Sequence, residues 1–465
     1  MSKAIQIAVF CAVMMSAAEA IAKGEGVFES GSGTQDQSWM IANAAQLDQL
    51  HSFLGSSYSS AYFALANDID LTAYLSPGGD GYSKWGAAGW EPIGYPLVWP
   101  DRSGSFWGKL NGNGHKVTGL WINRETSSIG LFGCTDEGCE ILNLQVEADA
   151  SQGGVRGGGE VGGLVGFAFE SLLVNTCMKG LVRGNSDIGG LVGMVEQTVI
   201  SNCCAECTVA VEAGGYGGAG GLVGGLHNGL IVSSYADCQV SGGVSYGSAG
   251  GFVGNLNTYG TVSNCYSTGC VTGNERVGGA IGSNFGAVSH VYSRCSVVGG
   301  TSAGGIVGAN GYNGSGAREI VSCYFDVQAA GITNGVGGSD ALGGGYGKTV
   351  EEMKQQATFV GWDFATVWSI REGLAYPAFR WQPCLPVNIR VTGFSKVADA
   401  LAFTWKDLGT NVPVVCGKEN LSDTQWTPLV SGPGVTVHVQ SAGANLVLDA
   451  QGGSLPYRFF TVIVP

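Results

Sequence analysis

The side chains of this chain that could do chemistry are few and widely spaced. Its histidines stand singly, so the His-Glu-x-x-His helix of a zinc peptidase is absent from the sequence and that class of enzyme is excluded. Cysteine is more frequent, with 14 residues, but Cys203, Cys204 and Cys207 are the one tight group. With no His or second Cys pair nearby, this group is weak evidence for a metal site.

Two acidic residues, Glu206 and Asp237, are the best carboxylate pair for an enzyme acting on glycans. They occupy equivalent positions in successive units of the repeat described below, and Arg294 follows two units later. A glycosidase needs two carboxylates about 5 to 10 Å apart. A lyase needs basic residues as well, yet residues 157–317 contain four Lys and Arg in all. A solvated pair at a strand edge is the simpler interpretation.

Two further sets of residues could bind a ligand. Asp68 and Asp70, with Asp80, offer oxygen ligands for calcium, although short acidic side chains also cap turns. Aromatic residues are concentrated in a Gly-rich region before the repeats, and aromatic rings displayed there could stack on sugars or proteins. The candidates for exposure and binding are Tyr82, Trp85 and Trp99.

A five-residue phrase, Gly-Gly-Leu-Val-Gly or a close variant, organises the middle of the chain. Its central apolar residues are spaced by 26 to 33 residues, at Leu131, Leu164, Leu191, Leu222, Phe252, Ala280 and Ile306. A period of this length indicates units that bury their apolar faces only by stacking. With 80 glycines a helical repeat is disfavoured, and a propeller blade needs about 40 residues or more. The repeat therefore predicts an all-β chain built on a parallel β-solenoid.

Each unit holds about three short strands, which suits one turn of a solenoid. Stacking would align Cys177, Cys203, Cys265 and Cys323 in one ladder, and Cys207, Cys238 and Cys295 in another. Small apolar thiols on such ladders are expected to pack the core. Within the phrase both Leu164 and Val165 are apolar, so either the corner turns both inward or one of them forms an outward apolar seam.

The first twenty residues resemble a secretory signal peptide, and no other run is long enough to span a bilayer. An exported chain can form disulfides, and proximity favours Cys134 with Cys139 and Cys384 with Cys416. The net charge of −14 argues against nucleic acid as a partner. We expect instead an extracellular glycan or protein ligand, and the oligomeric state stays open.

Both ends of the repeat array carry features of caps. Asn43 with Gln46, and Thr349 with Glu352, have capping-box spacing and predict two short helices. A helix at the first coil would cover its strand edge. From residue 384 the chain alternates as short strands, which predicts a separate β-sandwich similar to a fibronectin type III module.

The ordered set of motifs resembles the GLUG-repeat family of secreted bacterial proteins. It includes LANDIDLTAY, GWEPIG, FWGKLNGNGHKVTGLWIN and IGLFG before the repeats, then GKTVEEMKQQATFVGWDFATVWSI and AYPAFRW after them. The resemblance covers about residues 40–382. It implies a β-helical stalk or surface module, found in adhesin-like proteins and attached to immunoglobulin-cleaving metallopeptidases, with no catalytic residue on the repeats.

The sequence thus predicts five regions: signal peptide (1–20), N-terminal cap and first coils (21–125), repeat solenoid (126–327), closing segment (328–383) and β-sandwich (384–465). The expected function is non-catalytic, as a secreted or surface-exposed binding or spacer module. The alternative is a carbohydrate-active enzyme, either a polysaccharide lyase or a glycosidase, on the same scaffold.

Overall fold

The computed structural model describes residues 26–95, 102–212, 215, 217–243, 247–311, 318, 320–338 and 344–382, and the backbone of seven strands beyond residue 390. The chain divides into two compact units, Met1–Pro377 and Ala378–Pro465. The first is a stack of coils whose strands are all paired in parallel in the repeats, and it confirms the predicted β-solenoid, with about seven turns. The predicted signal peptide, residues 1–20, lies outside the described residues.

One side of each coil is a strand of three or four residues. These strands form a seven-stranded parallel sheet, the short sheet, made of Ser127–Ile129, Gly159–Gly162, Ser186–Gly189, Gly218–Gly220, Ser248–Gly250, Arg276–Gly278 and Ser302–Gly304. The other sides belong to one 24-stranded sheet, the long sheet.

The long sheet has three segments per coil. The first follows the Gly-rich phrase, in Phe132–Thr135, Val165–Phe169, Val192–Ser201, Val223–Val232, Val253–Gly273, Ile281–Asn284 and Val307–Asn310. The second segment is continuous with the first in three coils and separate in Lys109–Asn111, Glu140–Leu142, Leu172–Val174, Ala287–Gly299 and Ile320–Val321. The third comprises Lys116–Leu120, Gln145–Ala148, Cys177–Gly184, Cys204–Val211, Tyr235–Ser241, Cys323–Asp326 and Gly345–Lys348. The remaining strands are Trp39–Ile41, Tyr62–Leu65, Ile69–Asp70, Ile122–Asn123 and Val155–Arg156.

The repeated phrase spans the corner between the two sheets, since its first Gly ends a strand of the short sheet and its Val begins a strand of the long sheet. Leu191 and Val192 are both fully buried, and the same holds for the equivalent pairs of the other coils. The corner therefore turns both residues inward, which decides between the two alternatives left open by strand alternation. Glycine is needed because a Cβ on Gly189 would lie 2.0 Å from the carbonyl oxygen of Val192.

A second corner, between the second and third segments, uses the left-handed backbone conformation. Its residues have φ between 50° and 54° and form a column of Asn143, Asn175, Asn202, Ser233, Asn264, His290 and Ser322. Asn tolerates this conformation better than other residues with a side chain. The amides also bridge coils, since Asn175 Nδ2 donates to Asn143 Oδ1 at 2.9 Å.

The register corrects one predicted cysteine ladder. Cys177 pairs with Cys204, not with Cys203, and these two residues form a disulfide between adjacent coils. Their column faces outward and continues as Tyr235, Tyr266, Tyr292 and Tyr324. The inward column contains Cys203, Cys265 and Cys323, all fully buried free thiols, as the core-packing interpretation predicts.

The predicted Cys134–Cys139 bridge is not formed in this structure. Both residues are buried free thiols. Burial raises the pKa of the Cys134 thiol to about 12, and that of Cys139 still further from its ordinary range. Closeness in the chain misled the prediction because Cys134 and Cys139 lie on successive segments of one coil, Phe132–Thr135 and the start of Glu140–Leu142. The Cys384–Cys416 bridge falls outside the residues whose side chains are described.

The predicted helix at the N-terminal end forms, but the backbone of Glu29 and Ser30 covers the edge of the first strand through hydrogen bonds with Met40. A helix spans Ala44–Asp48, Asn43 accepts a hydrogen bond from the Gln46 amide, and the Gln46 side chain accepts one from the Ala42 amide. The other short helices are Gln49–Ser52, Ser56–Tyr58, Thr72–Leu75, Asp80–Trp85, Gly86–Ala88, Ala150–Gln152 and Val327–Ala330.

The predicted capping box at Thr349 also forms. The Thr349 hydroxyl accepts from the Glu352 amide at 3.2 Å, and the Glu352 carboxylate accepts from the Thr349 amide at 2.9 Å. It begins 3-10 turns at Glu352–Lys354 and Gln356–Thr358 instead of an α-helix. Two short strands follow, Trp368–Ser369 and Ala378–Phe379.

The second unit contains two antiparallel sheets. One has four strands, Val391–Val397, Ala400–Trp405, Asn445–Asp449 and Thr436–Gln440, and the other has three, Thr427–Pro428, Val414–Lys418 and Phe459–Ile463. This division of seven antiparallel strands agrees with the all-β character predicted for the tail.

Candidate functional site

The outward side of the second and third segments of the long sheet, here called the outer face, presents side chains in straight columns. Successive coils are in register there, as in Leu172 beside Val199 and Val199 beside Leu230. Equivalent residues of a parallel sheet lie about 4.8 Å apart, so each column is a row of closely packed side chains. The outer face therefore carries straight columns on its second and third segments, which meet at the corner column.

An apolar patch lies on this face over the second segments. Val199 is 37% exposed. Its neighbours in two adjacent columns are half-buried, namely Leu142, Leu172, Val174, Leu230 and Val232. In the next coil the two columns change to Thr261 and Ser263. Clustered exposed aliphatic side chains on a flat surface are a common feature of binding sites.

A charged column runs beside the patch, along the third segments. Its members from coil to coil are Glu147, Lys179, Glu206, Asp237, Thr268, Arg294, Asp326 and Lys348. The sequence predicted three of them as neighbours, and the register places Asp237 next to Glu206 and Arg294 two coils beyond Asp237.

The two acidic residues of the column already have partners. Glu206 forms a 2.8 Å ion pair with Lys179 and accepts a hydrogen bond from the Tyr235 hydroxyl at 3.2 Å. Asp237 accepts from the Thr268 hydroxyl at 2.6 Å. Because the Lys179 and Glu206 side chains are both well exposed, their ion pair contributes at most about 1 kcal/mol to stability. These contacts suit a polar surface.

An aromatic column continues from the disulfide. Tyr235 stacks on Tyr266 with ring centroids 5.0 Å apart, and Tyr266 stacks on Tyr292 at 4.9 Å, with the planes within 7° of parallel. Tyr266, Tyr292 and Tyr324 are nearly buried although they point away from the solenoid core. Another part of the chain must therefore cover them.

That cover is formed by residues 349–377 of the closing segment. Its Phe359, Trp362 and Trp368 rings pack against the tyrosine column, with Trp362 and Trp368 centroids 4.6 Å apart. Burial beneath them raises the pKa of Tyr292 well above its usual value, and its hydroxyl donates to the Pro377 carbonyl at 2.7 Å.

Polar groups of the outer face fix the closing segment in place. Trp368 Nε1 donates to Asn264 Oδ1 at 3.2 Å, and Trp362 Nε1 donates to the Ser322 carbonyl at 3.0 Å. Arg294 of the charged column lies over the Tyr376 ring at 4.4 Å. The corner column, the aromatic column and the charged column thus all contact this one extended segment.

The residues that the sequence marked for binding are placed as follows. Tyr82 and Trp85 lie on the helix Asp80–Trp85 and are half-buried, and Trp85 packs against the core with its ring 5.6 Å from that of His51. The indole Nε1 of Trp85 is buried and has no hydrogen-bond partner. Trp99 lies outside the described residues. Trp85 therefore packs against the core, whereas the sequence predicted that its ring would be exposed.

Beneath Trp85 lies a buried polar cluster that the sequence analysis missed. Asp48 accepts hydrogen bonds from the Tyr74 hydroxyl at 2.9 Å and from Lys84, and its carboxylate lies 3.2 Å from His51 Nδ1. Burial alone would raise the pKa of Asp48, but the hydrogen bonds from His51, Lys84 and Tyr74 outweigh it and lower the pKa to about 2. Burial and the adjacent carboxylate raise the pKa of Tyr74 to about 12.

His51 is held in its protonated form by geometry. Its Nδ1 lies 2.7 Å from the Asp48 carbonyl oxygen and its Nε2 lies 3.0 Å from that of Glu91, so both nitrogens must donate. Burial opposes the charge, but the hydrogen bonds and the Asp48 carboxylate dominate and raise the pKa of His51. The cluster ties the capping helices to the first coil, which makes it a structural element.

The proposed calcium ligands are used within turns. Asp68 Oδ1 accepts from the Lys116 amide and lies 3.1 Å from His115 Nδ1, and Asp70 Oδ1 accepts from the Thr72 amide at 2.8 Å. Asp80 starts the helix Asp80–Trp85. Within the described ranges no group of three His, Cys, Asp or Glu side chains is placed to hold a metal ion.

Among models of known protein families, none matches the chain. A segment of 124 residues, 26% of the chain, is 43% identical to a candidate Gly-rich membrane protein of Evansella cellulosilytica, and 138 residues, 29% of the chain, are 34% identical to halomucin of Haloquadratum walsbyi. The chain spans 12% of the length of the first relative and 1% of the second.

A solved structure supports the fold. The crystal structure of a candidate immunoglobulin A1 protease from Bacteroides ovatus matches 77% of this chain and 97% of its own, with a TM-score of 0.50 and 20% identity. At this identity the similarity concerns the fold alone. No helix among the described residues has the length and apolar character needed to cross a bilayer.

Proposed function

We infer that this protein is a secreted or surface-exposed, non-catalytic β-solenoid whose outer face binds another macromolecule. The observation that carries this proposal is the closing segment, whose aromatic side chains pack on the downstream half of the face. Upstream, Val199 and its aliphatic neighbours lie on the same face, beside Tyr235 and the charged column. The aliphatic patch favours a protein ligand over a glycan.

Three further points support an extracellular role. The disulfide between Cys177 and Cys204 suits an oxidising compartment. The motif order resembles that of GLUG-repeat surface proteins, and one relative is named as a membrane protein. We propose that the N-terminal signal sequence exports the chain and that the chain is of the GLUG-repeat type. Attachment to the cell envelope is a separate question.

The test is a binding array of matrix proteins and glycans probed with the mature chain. A Val199→Glu, Leu230→Glu variant places two carboxylates on the apolar patch and should reduce binding at least tenfold. Tyr259→Ser is the matched control, because Tyr259 is 77% exposed and lies outside the patch. Equal binding by all three proteins, with matched circular dichroism spectra, would refute the outer face as the binding site.

The Gly-rich region before the repeats is the second location proposed for binding. A Trp85→Ala, Trp99→Ala variant on the same array distinguishes it from the outer face. Binding that falls in this variant, while the Val199→Glu, Leu230→Glu variant binds normally, would move recognition to Tyr82, Trp85 and Trp99.

The alternative function is a glycan-cleaving enzyme, which the register of Glu206 and Asp237 on neighbouring coils favours. A Glu206→Gln, Asp237→Asn variant tests it on acidic and neutral polysaccharides. Cleavage by the natural chain that disappears in the variant would support the enzyme; cleavage that persists would remove this pair as its site.

A further inference from the structure

The structure contains a second pair of cysteines in the same relationship as the disulfide-bonded pair. Cys177 and Cys204 are register partners on adjacent coils, with Cα atoms 4.5 Å apart. The next pair of coils is in register at Ala205 with Ala236 and at Thr208 with Gln239, which places Cys207 beside Cys238. Among the cysteines in the described strands of the repeats, these two pairs alone are register partners.

The Cys238 sulfur also lies close to the Cys207 backbone, whereas the Cys207 sulfur donates to the Met178 carbonyl oxygen at 3.5 Å. The Cys207 amide donates to Cys238 Sγ at 3.3 Å. Both side chains point into the core and are buried, and both are free thiols in this structure. Register partners in a parallel sheet have the Cα spacing that a disulfide requires, about 4.4 to 6.8 Å.

The remaining thiols lack such a partner. Cys265 lies beside Val291, Cys270 beside Ser296 and Cys295 beside Gly269. A bridge from Cys265 to Cys203 or Cys323, or from Cys295 to Cys238, would have to skip a coil, about twice the interstrand spacing of 4.8 Å. Cys270 is one position out of register with Cys238 and Cys295 on the adjacent coils, so its side chain leaves the opposite face of the sheet. The geometry therefore separates Cys207 and Cys238 from the other buried thiols.

We propose that Cys207 and Cys238 form a second disulfide between coils when the chain folds in an oxidising compartment. Together with Cys177–Cys204 it would link three successive coils covalently, one bridge on the outer face and one in the core. The proposal does not depend on what the outer face binds.

The chemistry is thiol–disulfide exchange with a disulfide oxidant such as oxidised glutathione. One cysteine thiolate attacks the oxidant's sulfur–sulfur bond, forming a mixed disulfide and releasing one thiol. The second thiolate then attacks the protein sulfur of that mixed disulfide, forming the Cys207–Cys238 bond and releasing the second thiol. Two protons and two electrons leave the protein in total, and the oxidant is reduced to two thiols. Because Cys238 is fully buried in the folded chain, the exchange must precede closure of the coil.

The experiment uses the mature full chain refolded with oxidised glutathione, denatured and alkylated without reduction, and analysed by mass spectrometry. Trypsin is unsuitable because no Lys or Arg lies between Arg183 and Arg276. Cleavage after Glu206 and Glu212 isolates Cys207 on a six-residue peptide, and chymotryptic cleavage at Tyr235 and Tyr246 isolates Cys238. The expected product is these two peptides joined by a disulfide.

Single variants make the result quantitative. Cys207→Ala should expose one new alkylated thiol, at Cys238, whereas the control Cys265→Ala should expose none. The inference is overturned if Cys207 and Cys238 are both alkylated in protein whose Cys177–Cys204 bridge is intact, or if Cys207 is linked to a cysteine other than Cys238.

Discussion

The strongest quantitative prediction concerns Trp368, which anchors the closing segment to the outer face. Its side chain is fully buried, lies against Tyr266, Tyr292 and Trp362, and donates to Asn264. Replacing a buried Trp by Ala costs about 3 to 5 kcal/mol. In Trp368→Ala the closing segment should therefore open roughly two to four orders of magnitude more often.

The loss should be local because each coil of a solenoid contacts only its neighbours. Hydrogen exchange followed by mass spectrometry should show faster exchange in residues 359–377 and unchanged protection in the coils around Cys204–Val211. Val360→Ala is the control in the same segment, because Val360 is 69% exposed. Unchanged exchange in residues 359–377, or equal loss of protection in the upstream coils, would refute this account of how the segment is held.

Four further predictions concern the corners and the cap. Asn202 has φ 54°, so Asn202→Val should lower the free energy of unfolding by about 1 to 2 kcal/mol and Asn202→Gly should change it little, as urea denaturation will show. Gly189→Ala should prevent correct stacking of the coils, because its Cβ would lie 2.0 Å from a carbonyl oxygen. The control Gly273→Ala should be tolerated, because its Cβ would lie 3.1 Å from the nearest atom. The soluble yield and melting temperature of the two variants test this difference. The raised pKa of His51 means that its contribution to stability is complete below pH 6.5 and is lost as pH rises through the folded-state pKa. His51→Gln should thus lose most stability at pH 5 to 6, and equal losses at pH 6 and pH 9 would contradict the charged form. Asp48, with a pKa of about 2, should stabilise the cap fully above pH 4 and lose that contribution between pH 4 and pH 2, so acid melting of Asp48→Asn should differ least from the natural chain at pH 2.

Some features of the outer face could be predicted from sequence and others could not. The spacing of the repeats brought Glu206, Asp237 and Arg294 onto one column, as the register shows. The predicted register of the cysteine ladder was wrong by one residue at Cys177. Apolar periodicity alone does not give the exact position of the corner between Asn175 and Cys177.

The closing segment shows the limit more clearly. Trp368 and Asn264 are 104 residues apart and share no periodic pattern. Their contact arises because the tyrosine column offers a flat aromatic surface that the Trp-rich segment buries, a gain in apolar burial that no local pattern encodes. The sequence showed the tryptophans but not the surface they cover.

By itself the sequence determined the coil, because a glycine phrase that permits close backbone approach and two inward apolar residues recurs at one period. It also determined the caps, since Asn43 and Thr349 form their hydrogen bonds within four residues. Only the tertiary structure decided which thiols meet, which half of the outer face is covered and that Trp85 packs inward. These outcomes depend on contacts between distant coils, whose free energy comes from packing in three dimensions and not from local conformational preference.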